Sequence, residues 1–485
     1  MSRPQSPSPT VPSRLLEPGA ERGGLLSGGM RRLRALWSRL AGEGTGAGEG
    51  ASPGPRELQR LREVLEHCAS EHGGEVSSRA RAAALGADYL RMGPDGRRAV
   101  MRMLSLEFGA PAEAIEPALR EWQQAAAPEA RTLAEARLRE ALRSRREAVL
   151  RQLHALPEGM KFLVDLRAEV LATLDADPAL GALEHDLATL LQSWFDLGFL
   201  SLERITWSSP AALLEKLIAY EAVHEIRSWS DLRHRLESDR RCYAFFHPRM
   251  PLEPLIFVEV ALTTGLADSV QALLDESSPA LDPARADTAM FYSISSTQPG
   301  LRGISFGNAL IKQVVVALQR DLPGLRQFAT LSPVPRLRAW LRSAGDARIQ
   351  SAPSERERLE FAAAFHEPLG VASLERAIDR VSRGGDDPAA QALRPVLLRV
   401  AARYLCEARE GKRPHCPVAR FHLSNGARLE RIDWRGDTSA RGFAQSGGVM
   451  VNYLYRGEDI DDNHERHLAS GEVVTGASVR RLLRP

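Results

Sequence analysis

Residues 288–335 read TAMFYSISSTQPGLRGISFGNALIKQVVVALQRDLPGLRQFATLSPVP. The opening TAMFYSISSTQ alternates large and small side chains, which predicts a β-strand, and NALIKQVVVALQRDLPG predicts an amphipathic helix. A glycine-containing turn joins the two, and RQFATLSPVP predicts a second strand that ends at proline. Strand, turn, helix and strand form a βαβ unit, which is right-handed almost without exception.

The glycine turn precedes the helix directly, where the first backbone N–H groups lack intrahelical partners. Those groups lie at the positive end of the helix dipole, so this position suits a phosphate. Neither the dinucleotide pattern G-x-G-x-x-G nor the P-loop pattern is present. From the residues alone, a phosphate site and an ordinary strand-to-helix turn are equally good interpretations.

The 485 residues predict two or more folding units. Residues 1–29 are rich in Pro, Ser and Gly, which predicts disorder. MRRLRALWSRLAG, residues 30–42, predicts a basic amphipathic helix. For this helix we favour docking on the protein over a membrane surface or an organellar presequence. We therefore assign residues 1–55 to a low-complexity tail that carries one short helix.

Helical periodicity runs through residues 56–192 and predicts a bundle that acts as scaffold or oligomerisation surface. Within it, LAEARLREALRSRREAVLRQLHAL predicts one long helix. Residues 193–485 mix strands and helices. They include the strand EPLIFVEVALTTG, a β-hairpin in VARFHLSNGARLERIDW with Asn-Gly as its turn, and a last strand in GGVMVNYLYRG. The fold class predicted is α+β, with a helical bundle followed by a mixed-sheet domain.

Composition excludes several classes of function. The net charge is only +2 with both signs interspersed, which is not typical of a nucleic-acid-binding protein. No uninterrupted apolar run reaches the roughly 18 residues of a membrane span. The four cysteines lack metal or C-x-x-C spacing, so we expect free thiols and a cytoplasmic location. His464 and His467 lack a third ligand, and EDIDDNHERH predicts a solvated loop rather than a metal site.

The loop after the first strand resembles the R/Q-x-x-G-x-G/A turn with which N-acetyltransferases of the GNAT superfamily grip the pyrophosphate of coenzyme A. Ser305 stands where that pattern has its first glycine. The residues that carry this comparison are Arg302, Gly303, Ile304, Ser305, Phe306, Gly307 and Asn308.

Five blocks occur in a fixed order: YAFFHPRMPLEPLIFVEVALT, FYSISSTQPGLRGISFGNALIKQVV, FATLSPVP, PVARFHLSNGARLERIDW and VMVNYLYRG. Together they resemble the malonyl-CoA decarboxylase family. The resemblance implies a GNAT-like catalytic domain with helical insertions and a carbon–carbon lyase that converts malonyl-CoA to acetyl-CoA and CO2. It also implies no metal, no organic cofactor and a homo-oligomer, of which a tetramer is one possibility.

By resemblance, the catalytic residues are Ser332, His422 and Tyr455. Loss of CO2 leaves an electron pair that delocalises into the thioester as an enolate, so the site needs hydrogen-bond donors and a proton source. His422 is expected to donate the proton, because histidine ordinarily titrates near neutrality. Ser332 is expected to orient the carboxylate or the proton path, and Tyr455 to bond the carboxylate or the thioester oxygen.

Each of these three residues also has a purely structural interpretation. A serine before proline is commonly a turn residue, and a histidine or tyrosine on a strand is commonly a core side chain with one hydrogen bond. A GNAT-type acyltransferase and a non-catalytic acyl-CoA-binding protein are the alternative functions.

Overall fold

The computed structural model describes residues 33–41, 54–70, 75–304, 309–384, 387–411 and 413–484. The chain divides into two compact units. Unit 1 comprises Met1–Ser201, Phe246–Leu255 and Ser296–Ser305. Unit 2 comprises Leu202–Phe245, Ile256–Ser295 and Phe306–Pro485. Two short segments from later in the chain therefore fold with the N-terminal helices. Residues 1–29, for which disorder is predicted, lie outside the described residues.

Unit 1 is helical, as its apolar periodicity predicts. Its helices are α1 (33–40), α2 (Pro55–Ala69), α3 (Glu75–Arg91), α4 (Pro94–Glu107), α5 (Ala112–Gln124), α6 (Pro128–Ala141), α7 (Arg145–His154), α8 (Gly159–Thr173) and α9 (Gly181–Trp194). One continuous hydrophobic core joins most of them and includes Leu65, Val149, Leu163 and Leu187, none of which is exposed to solvent. Burial of this apolar surface is what stabilises the helices, because isolated helices of this length are marginal.

The prediction of one long helix over residues 133–156 is wrong. The chain breaks after α6 and resumes as α7. The cause is a tertiary contact: the Arg146 N–H donates to the Phe108 carbonyl (2.9 Å), and its buried guanidinium donates to the carbonyl of Ser105 at 2.8 Å. These bonds give the carbonyl groups at the C-terminal end of α4 their hydrogen-bond partners and turn the chain. The helix therefore does not continue from α6 into α7.

Helix α1 docks on unit 1 through Trp37, which is fully buried. The indole N–H donates to the Pro157 carbonyl at 2.9 Å, and the ring centroid lies 4.9 Å from that of Phe162. The ring also occupies the space beside Gly86, where an added Cβ would lie 1.9 Å from an indole carbon. A glycine is therefore required in α3 at this position.

Unit 2 contains the main sheet. The strands of the chain are β1 (Ser201–Ile205), β2 (Arg240–Phe246), β3 (Ile256–Thr263), β4 (Thr288–Ser296), β5 (Gln327–Thr330), β6 (Ser332–Pro333), β7 (Arg409–Glu410), β8 (Arg413–Pro414), β9 (Arg428–Asp433) and β10 (Met450–Tyr455). The sheet order is β1-β2-β3-β4-β5-β10-β6, with β9 also paired to β10. Strands β7 and β8 form a separate two-stranded sheet.

The predicted βαβ unit is present. Helix α13 (Ala309–Asp321) connects β4 to β5, which are parallel from Thr288↔Gln327 to Phe291↔Thr330. Beyond Phe291, β4 continues to Ser296 while the chain after Thr330 pairs with β10 instead. The two parallel strands therefore part just before the region in which Ser332 lies.

The remaining helices belong to unit 2. They are α10 (Ala211–Tyr220), α11 (Trp229–His234), α12 (Val270–Leu273), α14 (Leu337–Ala344), α15 (Asp346–Gln350), α16 (Glu355–Phe365), α17 (Val371–Ser382), α18 (Pro388–Glu407), α19 (Pro417–Ser424), α20 (Ala440–Ser446), α21 (Ile460–Ser470) and α22 (Ala477–Leu483). Sheet residues such as Met290, Ala329 and Met450 form a fully buried apolar cluster with α12.

Two local predictions are wrong. The segment VARFHLSNG forms helix α19, not the first strand of a hairpin, and Asn425-Gly426 ends that helix. Gly426 has φ +76° and its N–H donates to the Leu423 carbonyl at 3.0 Å, a glycine stop that an L side chain would strain. The predicted loop EDIDDNHERH is mostly helix α21. Because Asn-Gly suits both hairpin turns and helix ends, the dipeptide alone did not separate them.

Candidate active site

The site lies where the β10 ladder is interrupted. Strand β10 pairs antiparallel with β5 and again with β6, but not at Thr330 and Leu331 between them. Side chains supply hydrogen bonds there: the Asn452 amide donates to the Thr330 carbonyl at 2.9 Å, and the Tyr453 N–H donates to Thr330 Oγ1 at 3.2 Å. The β9–β10 register also shifts between Asn452 and Tyr453. This irregularity directs polar side chains into an otherwise apolar sheet.

Ser332 begins β6, immediately after the interruption, and is buried. Its Oγ donates to Thr330 Oγ1 at 2.8 Å and lies 3.1 Å from His422 Nε2. Residues two apart on an extended chain point the same way, which is why the two hydroxyl groups meet. The structure therefore places the hydroxyl group of Ser332 beside the imidazole of His422.

His422 lies in the last turn of α19 and is buried. Its Nδ1 lies 2.8 Å from the Tyr455 hydroxyl group, at the end of β10. Its ring stacks on Tyr453, with centroids 4.5 Å apart and planes at 24°. A strand, a helix and a second strand thus bring Ser332, His422 and Tyr455 into one hydrogen-bonded chain.

The three groups of this chain are uncharged at neutral pH. Burial lowers the pKa of His422 to about 3, because the cation cannot be solvated there. Burial also raises the pKa of Tyr455 well above its ordinary value. The expectation that His422 titrates near neutrality is therefore corrected: the group available for donation is the ring N–H of a neutral imidazole.

The predicted phosphate turn is described only in part, since Ser305, Phe306, Gly307 and Asn308 lie outside the described residues. Arg302 and Gly303 are exposed and Ile304 is buried. Gly303 has φ +83°, a conformation that favours glycine. The helix predicted to follow the turn begins at Ala309.

Within unit 1, Arg167 of α8 holds the start of this turn. Its guanidinium donates to the carbonyls of Gly300 (2.6 Å) and Arg302 (3.0 Å). It also pairs with Glu184 at 2.8 Å and is almost completely buried. Gly300 packs directly on α8, where an added Cβ would lie 1.8 Å from the Val164 carbonyl oxygen. The residues that lead into the turn, 300–302, are therefore held by α8.

Across the described parts of the chain, no group of three His, Cys, Asp or Glu residues is arranged to hold a metal ion. His464 and His467 each place Nδ1 near a backbone carbonyl oxygen, of Ser424 and Glu472 respectively. Within the same residues, none of the helices combines the length and the apolar character needed to cross a membrane.

The family model for the malonyl-CoA decarboxylase C-terminal domain matches residues 198–485, and that for the N-terminal domain matches residues 108–195. The chain belongs to the malonyl-CoA decarboxylase family. The resemblance stated from the five sequence blocks is thereby confirmed, and so is the α+β fold class.

Relatives in this family match over most of their length. The mitochondrial malonyl-CoA decarboxylase of the goose Anser anser anser is 35% identical over 467 residues, which cover 93% of this chain and 92% of the relative. That of Rattus norvegicus is 36% identical over 363 residues, 72% of this chain and 73% of the relative. The crystal structure of malonyl-CoA decarboxylase from Agrobacterium vitis is 42% identical with a TM-score of 0.78, covering 88% of this chain and 100% of that one. The structure from Rhodopseudomonas palustris is 41% identical with a TM-score of 0.77, covering 87% and 99%.

Two residues of this decarboxylase-family site were missed from the sequence. Thr330 contacts Ser332, and Tyr453 stacks on His422. Both stand two positions before a predicted site residue, on strands where alternate residues share a face. That spacing is the signal that identifies them.

Proposed function

We propose that this chain decarboxylates malonyl-CoA to acetyl-CoA and CO2. The observation that carries the proposal is the buried chain of Ser332, His422 and Tyr455, in a member of a family named for that reaction. Its three neutral groups form a set of hydrogen-bond donors and acceptors where negative charge would develop on the substrate.

The reaction breaks the bond between the α-carbon and the carboxylate carbon. The electron pair stays on the α-carbon and delocalises onto the thioester oxygen, while the carboxylate leaves as CO2. One proton, ultimately from solvent, then joins the α-carbon and gives acetyl-CoA. Because the thioester accepts the electron pair, the chemistry requires neither a metal nor an organic cofactor, and we propose that the enzyme uses none.

In this mechanism, His422 donates its ring N–H toward the enolate and passes that proton to the α-carbon. The ring then regains a proton from solvent, so it is neutral again for the next turnover. A neutral imidazole suits this task because it stabilises negative charge by a hydrogen bond without carrying charge itself. Ser332, which lies beside Nε2 of His422, orients the reacting group. Tyr455 holds the ring in position through Nδ1. Burial excludes water, which strengthens each of these electrostatic interactions.

We assign the coenzyme diphosphate to the turn at residues 302–308 and the first amides of α13. The left-handed Gly303 supports this assignment, since it allows the backbone to turn sharply toward a ligand. Arg302, exposed at the same turn, supplies positive charge for a phosphate.

The test is turnover of malonyl-CoA by the purified full chain, with acetyl-CoA and CO2 both quantified. We expect equal yields of the two products, loss of activity in His422→Gln, and full activity in His185→Gln, a matched change at an exposed histidine of α9. Activity should persist after treatment with a strong chelator. Acyl transfer to an added amine without release of CO2 would instead support the acyltransferase alternative.

We also propose that the protein is a homo-oligomer assembled through its helical unit, with a tetramer as one possibility. Helix α5 has no buried side chain, and the α5–α6 pair exposes Leu119, Leu133 and Leu142. Light scattering after size-exclusion chromatography tests this proposal. Leu133→Glu should shift the mass toward the monomer, whereas Leu359→Glu, at an exposed leucine of α16, should not.

A cytoplasmic location is the last part of the proposal. All four cysteines are free thiols in the structure, and Cys68, Cys242 and Cys416 are buried. Free thiols suit a reducing compartment. Cell fractionation followed by immunoblotting tests it, and recovery in an organelle fraction would contradict it.

A further inference from the structure

The hydroxyl group of Ser332 lies between two polar side chains, Thr330 and His422. Ser332 has one hydroxyl proton and two polar neighbours, Thr330 Oγ1 at 2.8 Å and His422 Nε2 at 3.1 Å. The proton goes to Thr330. The Ser332 oxygen therefore turns a lone pair toward His422 Nε2, and a lone pair can only accept a hydrogen bond.

This polarity decides which ring nitrogen of His422 carries the proton. A neutral imidazole has one N–H and one lone pair. If the Ser332 oxygen accepts, Nε2 must hold the hydrogen, and Nδ1 must accept from the Tyr455 hydroxyl group at 2.8 Å. Tyr455 can donate because its buried hydroxyl group keeps its proton, since burial raises the pKa of the phenol. Every member of the chain then has a consistent role.

We propose that Thr330 is a positioning residue that, by accepting the Ser332 proton, holds His422 as the Nε2–H tautomer. The consequence for catalysis rests on the proposed decarboxylation, in which the enolate replaces the Ser332 oxygen as the acceptor of that N–H. The tautomer itself is a property of the protein without substrate.

Thr330 is itself fixed by the interrupted ladder. It is fully buried, and its Oγ1 accepts the Tyr453 N–H while its carbonyl accepts the Asn452 amide. These bonds replace backbone pairing at the one point where β5 and β6 separate along β10. The interruption therefore places a rigid acceptor two residues before Ser332, rather than merely weakening the sheet.

The test compares Thr330→Val, which removes the hydroxyl group at nearly constant shape, with Thr330→Ser, which keeps it. The full chain is labelled with ¹⁵N-histidine, and His422 is assigned among the 12 histidines by its absence in His422→Gln. In the wild type we expect a protonated Nε2 and an unprotonated Nδ1. In Thr330→Val, where the Ser332 proton has only Nε2 left as a partner, we expect the tautomer to change to Nδ1–H. Thr330→Ser should keep the wild-type pattern.

Steady-state kinetics give the second measurement. Thr330→Val should lower kcat about tenfold, the usual cost of one misdirected hydrogen bond, with KM nearly unchanged. Thr330→Ser should restore most of the activity. In a Ser332→Ala background, Thr330→Val should add little, because the proton it directs is already gone.

The inference is overturned if wild-type His422 is the Nδ1–H tautomer, if Thr330→Val leaves tautomer and kcat unchanged, or if Thr330→Ser is as impaired as Thr330→Val. The wild-type spectrum decides the matter even if Thr330→Val does not fold. A wild-type protein that shows the Nε2–H tautomer but no turnover of malonyl-CoA would refute the proposed function and leave the tautomer assignment standing.

Discussion

Two of the polar networks that are buried in unit 2 differ in charge. In the first, Arg235 donates to Asp231 at 2.7 Å, to Glu259 at 3.0 Å, and to the carbonyls of His224 and Glu225. All five of its N–H groups are used, and the side chain is only 1% exposed. In the second, Ser332, His422 and Tyr455 are neutral and linked in a line.

The difference shows that one buried network can stabilise the fold while another keeps groups available for chemistry. The Arg235 network is closed: every N–H group of the guanidinium has an acceptor within the protein, so no donor is left for a ligand. Burial raises the pKa of Glu259, and the guanidinium beside it opposes that rise. The neutral chain costs less to bury, because it carries no charge away from water. A neutral chain can also be redirected when one hydrogen bond changes, which the closed network cannot.

The largest expected effect tests the neutral chain. His422→Gln should lower kcat by about 10²- to 10⁴-fold, the range for loss of a general acid, while the melting temperature changes little. Steady-state assays and differential scanning calorimetry on the same preparation measure both quantities. A variant that retains wild-type kcat would remove His422 from the mechanism.

The second prediction breaks the closed network. Arg235→Met should lower the free energy of unfolding by about 3–5 kcal/mol, because Asp231 and Glu259 are left buried without their partner. Urea titration followed by circular dichroism measures the loss. The matched change Arg376→Met, at an exposed ion pair with Glu367, should leave stability nearly unchanged. Equal losses in the two variants would contradict this view of the Arg235 network.

The third prediction concerns the pH dependence of stability that the buried His422 causes at acid pH. The unfolded chain protonates His422 near 6.5, whereas the folded chain resists protonation until about 3. Between these values the unfolded state binds more protons, so this residue makes stability fall as pH falls, by up to about 1.4 kcal/mol per pH unit. Urea midpoints measured from pH 7 to pH 4 should fall less steeply in His422→Gln. Identical slopes in wild type and variant would show that His422 does not titrate in this way.

The smallest effect is expected at the end of the neutral chain. Tyr455→Phe removes the hydroxyl group that lies beside His422 Nδ1 but leaves the ring packing in place. We expect kcat to fall about tenfold, in line with one hydrogen bond. Tyr220→Phe, at a partly buried tyrosine that ends α10, serves as the matched control and should retain full activity. A loss of several hundredfold would instead place Tyr455 in direct contact with the substrate.

Local sequence pattern was sufficient for the elements whose periodicity is strong. The strand at Thr288–Ser296, helix α13 and the last strand were all predicted, because alternation and helical spacing are properties of a short segment. Strand β2 was missed, although its aromatic CYAFF run is typical of a buried strand. The break between α6 and α7 was missed because its cause, the bonding of Arg146 to α4, lies in another part of the chain.

The features of the site likewise divide into those that the sequence predicted and those that it did not. Ser332 and His422 are 90 residues apart, and no local pattern states that they touch. The family resemblance supplied that pairing, but it did not supply the setting of His422, which lies on a helix and is too deeply buried to titrate near neutrality. Burial depends on everything packed around a residue, so a shifted pKa is beyond the reach of the sequence alone.

The hydrogen bonds from Arg167 to the carbonyls of Gly300 and Arg302 have a consequence for the expression of truncated chains. The two family domains meet between residues 195 and 198, which invites expression of the C-terminal portion alone. Such a fragment would lack Arg167, and residues 300–302, which lead into the turn proposed to bind coenzyme A, would lose their hydrogen bonds to α8. We expect truncated versions to bind coenzyme A poorly even where their sheet forms. Helix α8 would then be needed for coenzyme binding as well as for the core of unit 1.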